Sequence, residues 1–192
     1  MESLYKVSKQ LINSSSNCIS LVDTDPETKK DVVVANLTVY QILQFFAANI
    51  QERDLMTTYT LEEMGIGTYK NLHTAYMSTP VIEIVSMFVN NEISVVPIIN
   101  EYGVLINAFD RSDLPNLSKE GMLDNLDMPV EQAIECRPHD YMGVHTCNKD
   151  DNLWSILGTI RKKVVHRLVV IDEDTKPIGV ITLNDILKAL LV

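Results

Sequence analysis

The sequence predicts an α/β (α+β) fold built from a repeated β-α-β-β-α unit, with two complete copies and part of a third. Three observations predict it. The chain matches itself at an offset of 72 residues, each matching stretch contains one helical pattern of apolar residues, and each also contains two short β-branched runs separated by a turn. Helical and strand patterns that alternate along a chain are typical of folds in which helices cover a sheet.

The two complete copies align without a gap, residues 81–114 with residues 153–186. Apolar helix positions fall on apolar helix positions, and an aspartate stands at the start of the last helix in both copies. The strands that open the copies, LHTA and VHTC, agree as well. Because helix, strand and turn positions all match, each copy is one structural unit. We assign residues 66–127 to the first complete copy and residues 128–192 to the second.

A third copy lies upstream, over residues 1–50, and residues 51–65 are a linker. It needs a five-residue insertion within the polar, turn-rich stretch TDPETKKD, where a hairpin loop tolerates extra length. The strand that opens the other copies has no counterpart here, so this copy is truncated. Its residue Gln41 takes the place that Asp113 and Asp185 take in the complete copies.

The elements of a unit follow from local patterns. Apolar residues at helical spacing predict a helix over Val81–Asn90. The runs SVVPII and HRLVVID are short, β-branched and followed by Asn or Asp, as buried strands are. The closing helix of the last copy contains Asp185 in its first turn, with Thr182 or Asn184 as its N-cap.

The charge balance argues against nucleic acid as a partner. There are 16 Lys and Arg against 26 Asp and Glu, a formal net charge of −10. A phosphate backbone would be repelled by that average. An anionic small molecule can bind only where positive charge is concentrated locally.

Cysteine usage and hydropathy indicate a cytoplasmic or nuclear protein. The three cysteines, Cys18, Cys136 and Cys147, are scattered and odd in number, which is not the pattern of a disulfide framework. No apolar run reaches the 18 residues of a membrane span, and the first ten residues lack the apolar core of a signal peptide.

Nothing in the sequence predicts catalysis. The chain has no G-x-x-x-x-G-K-[ST] loop and only 7 glycines. His145 and Cys147 alternate on one strand and so do not converge on a substrate. His139 and His145 lack companions at metal-ligand spacing. We therefore expect no catalytic residues, no metal site and no catalytic cofactor.

Five strings carry a family resemblance: IGTYKNL, NEISVVPIIN, GVHTC, VHRLVVID and TLNDIL. The repeated unit resembles the CBS domain, two of which pair to bind adenosine-containing ligands. The strings are similar to those of the gamma-subunit family of AMP-activated protein kinase, known in fungi from the sucrose-nonfermenting kinase complex. The resemblance implies a regulatory, non-catalytic chain that binds AMP, ADP or ATP and works with a catalytic alpha subunit and a scaffold beta subunit.

The resemblance also implies ligand-binding residues. Asp113 and Asp185 match the family's ribose aspartates, since a carboxylate accepts from both ribose hydroxyls. Each also stands where an aspartate commonly stabilises the first turn of a helix. His166, Arg167 and Arg137 match residues that contact phosphates. The matches to further hydroxyl, amide or backbone contacts are Thr68, Ser94, Thr182 and Asn184.

These residues predict two pockets between the complete copies. One contains Asp185, Arg137 and Ser94, and the other contains Asp113, His166 and Arg167. The truncated copy departs from the family: it has Asn17-Cys18 where a His-Arg pair is expected, Tyr40 for a lysine and Gln41 for the aspartate. We expect no occupied site there.

Two other functional classes stay open. The chain can be an interaction or dimerisation module of CBS type without a physiological ligand. It can also be the detached regulatory part of a metabolic enzyme or transporter. Exposed apolar surface on the truncated copy would favour self-association.

Overall fold

The computed structural model describes residues 3–14, 18–51 and 54–191, so Asn17 lies outside the described residues. The helices are α1 (Leu4–Asn13), α2 (Val39–Asn49), α3 (Asp54–Thr58), α4 (Val81–Asn90), α5 (Leu114–Lys119), α6 (Val130–Glu135), α7 (Leu153–Lys162) and α8 (Leu183–Leu190). The strands are β1 (Cys18–Thr24), β2 (Asp31–Thr38), β3 (Val95–Ile99), β4 (Leu105–Asp110), β5 (Thr146–Asn148), β6 (Arg167–Ile171) and β7 (Pro177–Thr182). A 3-10 turn, Arg111–Asp113, joins β4 to α5.

The element order repeats as the sequence predicts. Each copy has a helix, an antiparallel hairpin and a second helix, and the helix predicted over Val81–Asn90 has those bounds. Strand pairing gives sheets of order β1-β2, β3-β4 and β5-β6-β7.

The first two hairpins share the same irregularity. The register of β1 and β2 shifts between Leu21 and Val22, and that of β3 and β4 shifts between Ile98 and Ile99. These two steps are equivalent positions of the repeat once the five-residue insertion is removed. The insertion therefore lies at the tip of the hairpin, where it lengthens each strand by two residues and the turn by one, and it leaves the equivalent strand pairs unchanged.

The opening strand of the complete copies is short. In the last copy β5 runs parallel to β6, with Cys147 opposite Val170. In the preceding copy the equivalent contact is a single parallel bridge between Ala75 and Ile98.

The helix that closes each hairpin begins with a capping box, in which two side chains each accept from the other residue's backbone N–H. The third helical residue is Gln41, Asp113 or Asp185, so the same position of the repeat caps the turn in all three copies. Thr182, and not Asn184, is the N-cap of α8. The predicted stabilisation of the first turn by Asp113 and Asp185 is therefore confirmed.

By their internal contacts the residues form two units, and unit 1 comprises residues 1–67, 149–168 and 181–192. Helix α2 contacts α7 and α8, and α1 contacts α2 and α8. The apolar stripes of these amphipathic helices supply the buried side chains of the unit, although Leu4 and Val7 of α1 are only half-buried. Their innermost side chains include Leu11, Ile42, Leu43, Leu153, Ile156 and Leu157.

Unit 2 comprises residues 68–148 and 169–180. Its larger apolar cluster joins one side of the β3–β4 hairpin to α4, with Phe88 and Phe109 stacked at 6.4 Å between ring centroids. A second cluster joins Val95 and Ala108 of that hairpin to Val169 and Val180 of β6 and β7.

Two further observations concern the whole described chain. Within the described residues no helix combines the length and hydropathy that a membrane crossing needs. The three cysteines form no disulfide, and Cys147 is buried.

Candidate functional site

The predicted site residues Arg137 and Asp113 form a buried ion pair in unit 2. Arg137 Nε donates to Asp113 Oδ1 at 2.8 Å, and Nη2 donates to Oδ2 at 2.7 Å. Both side chains are 6% exposed. This two-bond fork is the strongest geometry that a guanidinium and a carboxylate can adopt.

The remaining contacts of Arg137 hold the guanidinium in place. Nη1 donates to Asn107 Oδ1 at 2.9 Å, and Nη2 donates to the Ala108 carbonyl at 2.6 Å. The guanidinium carbon lies 4.3 Å from the centroid of the Tyr141 ring, within cation–π range. Four of the five N–H groups of an arginine are thereby used.

Burial by itself lowers the pKa of the Arg137 guanidinium. Hydrogen bonds and charge attraction from Asp113, with smaller contributions from Tyr141 and Asp110, outweigh that effect and raise the pKa. The side chain therefore stays cationic. The attraction between the two charges offsets the free-energy cost of removing both from water.

Both oxygens of Asp113 are occupied in this arrangement. Oδ2 also accepts from the backbone N–H of Asp110 at 2.9 Å, which is the capping bond. A ribose would have to compete with the Arg137 guanidinium for this carboxylate, and a phosphate would have to compete with Asp113 for the guanidinium.

Asp185 has the equivalent position in unit 1 but a more open environment. Its Oδ2 accepts from Thr182 N at 2.9 Å and from Thr182 Oγ1 at 2.7 Å. The residue is half-buried, and within the described part of the chain it forms no ion pair. These capping bonds leave Oδ1 able to accept from a ligand hydroxyl.

The predicted phosphate residues His166 and Arg167 lie at the start of β6, also in unit 1. His166 is exposed and Arg167 is half-buried. The imidazole of His166 lies 6.1 Å from the Tyr40 ring, centroid to centroid. Tyr40 donates through its hydroxyl to the Lys163 carbonyl at 3.3 Å.

The remaining predicted residues are placed mainly by backbone bonds. Thr68 exchanges both backbone hydrogen bonds with Val180, at 2.8 and 3.0 Å. The Ser94 carbonyl accepts from the Arg111 N–H at 3.0 Å. Asn184 is half-buried in the first turn of α8.

The structure thus brings some predicted residues together and keeps others in separate units. Thr68, Ser94, Asp113 and Arg137 belong to unit 2, whereas the other five belong to unit 1, namely His166, Arg167, Thr182, Asn184 and Asp185. Each predicted pocket draws on both units and stays a prediction.

Sequence reasoning missed the partners of Arg137. The direct bond to Asp113 was not predicted, because the two residues were placed in different pockets. Asn107 and Tyr141 were not singled out either, although an amide in a strand and an aromatic four residues after an arginine were visible. Arg161, at the end of α7, also has contacts that the sequence did not indicate: it donates to the Ala47 carbonyl and lies over the Trp154 ring.

Among the described residues no group of three or more His, Cys, Asp and Glu side chains is arranged to hold a metal ion.

Comparison with known proteins identifies the repeat. The model of the CBS domain family matches residues 63–117 and 139–192, more than half of the chain. The 5'-AMP-activated protein kinase subunit gamma of Saccharomyces cerevisiae is 39% identical over 189 residues, which is 98% of this chain. The chain spans 58% of the length of that relative.

Solved structures show the same fold. A protein of Methanocaldococcus jannaschii, described as an archaeal homologue of the AMP-activated kinase gamma subunit, superposes with a TM-score of 0.67 at 16% identity, over 98% of this chain and 64% of its own. CBSX2 of Arabidopsis thaliana, solved in complex with AMP, superposes with a TM-score of 0.54 at 22% identity, over 69% of this chain and 96% of its own. The fold is a tandem of CBS domains, and the chain belongs to the CBS domain family.

Proposed function

We propose that this chain is the adenine-nucleotide-sensing part of a gamma-type regulatory subunit of an energy-sensing Ser/Thr kinase. AMP, ADP and ATP compete for it, and it performs no catalysis itself. The similarity to a gamma subunit over 98% of the chain supports this proposal, as does the likeness in fold to a CBS-pair protein that binds AMP.

One observation carries the proposed site: a half-buried carboxylate, Asp185, whose capping bonds use one oxygen only. A carboxylate with an accessible oxygen beside a helix start suits the ribose of a nucleotide, because its hydroxyls are donors. The proposed contacts to the phosphates are Arg167, His166 and Arg137. The rest of the predicted contact set is Ser94, Thr68, Thr182, Asn184 and Asp113.

The proposed mechanism is differential binding. A nucleotide shifts the kinase only if it binds one assembled state more tightly than the other. AMP, ADP and ATP share adenine and ribose and differ in the number of phosphates. Discrimination among them must therefore arise where cationic side chains meet the phosphate chain.

Calorimetry of the purified chain with AMP, ADP, ATP and S-adenosylmethionine tests this proposal. We expect binding of the three nucleotides. We also expect Arg167→Ala to weaken AMP binding by about tenfold or more, because a charged hydrogen-bond partner of the phosphate is lost. Lys188→Ala, which removes a cation from the far end of α8, is the matched control and should bind AMP as the parent does.

Three results would contradict the proposal or part of it. Absence of binding at millimolar nucleotide would favour a CBS interaction module without a ligand. Preference for S-adenosylmethionine would favour the regulatory part of a metabolic enzyme or transporter. Equal AMP affinity of Arg167→Ala and the parent would refute the phosphate role of Arg167.

The proposed partners are a catalytic alpha subunit and a scaffold beta subunit. Co-expression with both, followed by size-exclusion chromatography of the tagged chain, is the direct test. We expect one complex that contains all three chains. Elution of the chain apart from both subunits would contradict this assignment.

A further inference from the structure

The charges of the chain are distributed unevenly between the two units. Of its 16 Lys and Arg and 26 Asp and Glu, unit 2 holds 5 and 14, whereas unit 1 holds 11 and 12. Unit 2 is therefore strongly acidic, and unit 1 is close to neutral. Because His166, Arg167 and Asp185 belong to unit 1, three of the proposed nucleotide contacts lie outside the strongly acidic part of the chain.

A run of cations in unit 1 precedes the proposed phosphate contacts. Helix α7 ends with Arg161 and Lys162, and Lys163 is its C-cap. Arg161 is used within the unit, because it donates to the Ala47 carbonyl and lies over the Trp154 ring. Lys162 and Lys163 are exposed, and neither forms an ion pair with any residue that the structure describes. The two lysines therefore place two uncompensated positive charges at the surface of unit 1.

Contacts with Tyr40 of α2 tie this run to His166. The Tyr40 hydroxyl donates to the Lys163 carbonyl at 3.3 Å, and the Tyr40 ring lies 6.1 Å from the His166 imidazole, centroid to centroid. Gln44 Nε2 donates to the same hydroxyl at 2.7 Å, which orients the Tyr40 side chain. Three residues of chain span at most about 11 Å, so the backbones of Lys163 and His166 are no further apart than that. The lysine charges therefore act on any anion that His166 and Arg167 bind.

The neighbouring helices do not cancel these charges. Helix α2, which packs against α7, contains no Asp, Glu, Lys or Arg, and α7 contains no acidic residue. Asp150 and Asp151 precede α7, at the end opposite to Lys162, and a helix of ten residues is about 15 Å long. The acidic residue of α8 is Asp185, the proposed ribose contact. The local charge beside His166 is therefore positive, in contrast to that of the chain as a whole.

Positive charges at this place discriminate between nucleotides by the number of phosphates. Each further phosphate adds about one negative charge. Two unit charges about 10 Å apart in water interact strongly enough to change an affinity about twofold. Two lysines acting on the two additional charges of ATP relative to AMP give four such pairs, so the combined preference is about fivefold or more at low salt. Salt weakens it, because the Debye length falls from about 30 Å at 0.01 M to about 3 Å at 1 M.

We propose that Lys162 and Lys163 are specificity-determining residues of the proposed nucleotide site and favour ATP over ADP and ADP over AMP. This inference rests on the proposed function, because it takes His166 and Arg167 as the residues that contact the phosphates. The two lysines act by charge at a distance and contact no part of the adenosine. Because Mg²⁺ bridges the β- and γ-phosphates and offsets their charge, the preference applies to the metal-free nucleotide.

Calorimetry of the chain with AMP and with ATP, in a chelator-containing buffer of about 0.01 M ionic strength, tests the proposal. We expect the double variant Lys162→Gln, Lys163→Gln to lower the ratio of the ATP affinity to the AMP affinity by about fivefold. With excess Mg²⁺ the ratio should be the same in variant and parent. At about 0.5 M salt the difference should fall below about twofold, because the charges are screened. A change in folding alone would not depend on Mg²⁺ and salt in this way.

The matched control removes two cations from other parts of unit 1. Lys30 lies in the turn between β1 and β2, and Lys149 lies ahead of the first residue of α7; both are exposed. The double variant Lys30→Gln, Lys149→Gln changes the net charge by the same amount, and we expect it to leave the ratio of affinities as in the parent.

The outcomes separate this inference from the proposed function. Nucleotide binding with the same ratio of affinities in the lysine double variant and the parent would overturn the role of Lys162 and Lys163 and leave the proposed function intact. A control variant whose ratio falls as far would also overturn it, since the effect would then follow the net charge and not its place. Absence of both AMP and ATP binding by the parent would instead contradict the proposed function, and the inference with it.

Discussion

At the scale of single residues, the buried pair of Arg137 and Asp113 is the main electrostatic feature of unit 2. Each member stabilises the other in the buried environment. The carboxylate neutralises the charge of the guanidinium, and the guanidinium donates hydrogen bonds to both carboxylate oxygens. The sequence predicted a binding role for both residues, but not their contact, because their separation along the chain gives no indication of it. Asp185 has the same capping role and forms no ion pair with any described residue, so in the proposed function it is the carboxylate for which a nucleotide competes least with another side chain.

Replacing Arg137 alone should be costly. Arg137→Met leaves the Asp113 carboxylate buried without its counter-charge, and we expect the free energy of unfolding to fall by about 3–5 kcal/mol. Adding Asp113→Asn should recover part of that loss, because the neutral amide needs no cation and its oxygen can still accept from Asp110. Urea denaturation followed by circular dichroism measures both changes.

The control is the exposed pair of Lys176 and Asp174, whose charged atoms are 3.2 Å apart. Lys176→Met should change the stability by less than about 1 kcal/mol, since water screens such pairs. If Arg137→Met were equally mild, the pair would contribute little to unit 2. If the double variant lost as much as the two single changes together, the two charges would not be coupled.

At the scale of elements, the repeat makes each copy a control for the others. The capping boxes of three helices use the same position, and the hairpin bulges fall at the same step. Local patterns predicted the helix over Val81–Asn90, the strand runs and the candidate N-caps of α8, because helix faces, β-branched runs and capping residues act over a few positions, but they did not predict the bulges. They did not predict how closely two segments approach, as at Gly179 in β7.

Gly179 lies where a side chain has no room. A Cβ there would be 2.7 Å from Tyr69 Cδ1 and 3.1 Å from the Thr68 carbonyl oxygen. We expect Gly179→Ala to lower the free energy of unfolding by about 1–3 kcal/mol through overpacking, as measured by thermal or urea denaturation.

Gly158 in α7 is the matched control, because a Cβ there would meet nothing within 4 Å. Gly158→Ala should stabilise the chain by about 0.5–1 kcal/mol, as alanine loses less conformational entropy in a helix. A Gly179→Ala protein that is as stable as the parent would show that β7 can move away from Tyr69.

At the scale of the whole molecule, the fold was more predictable from the sequence than the candidate site. The self-match at 72 residues predicted the number of copies, the order of the elements and the site of the insertion, because repetition makes each weak local signal occur more than once. The contacts of Arg137 depend on residues 24 to 30 positions away, and no local pattern encodes them.

The net charge of −10 is an average over the whole chain and does not show where individual cationic side chains lie. Arg137 is cationic and buried, and Arg167 stands at the start of a strand in an otherwise acidic chain. Of the two, Arg137 is already engaged by a carboxylate. Under the proposed function, a nucleotide therefore either binds Arg167 and its neighbours or displaces Asp113 from Arg137.

The AMP affinity of Asp185→Asn compared with that of Asp113→Asn tests the central claim most directly. The two changes are chemically identical, fall at equivalent positions and keep an oxygen that can accept the capping bond. Calorimetry should show AMP binding weakened by about tenfold or more in Asp185→Asn, because a charged acceptor of the ribose hydroxyls is lost, and a smaller change in Asp113→Asn. Unchanged AMP affinity in Asp185→Asn, or a larger loss in Asp113→Asn, would contradict the account.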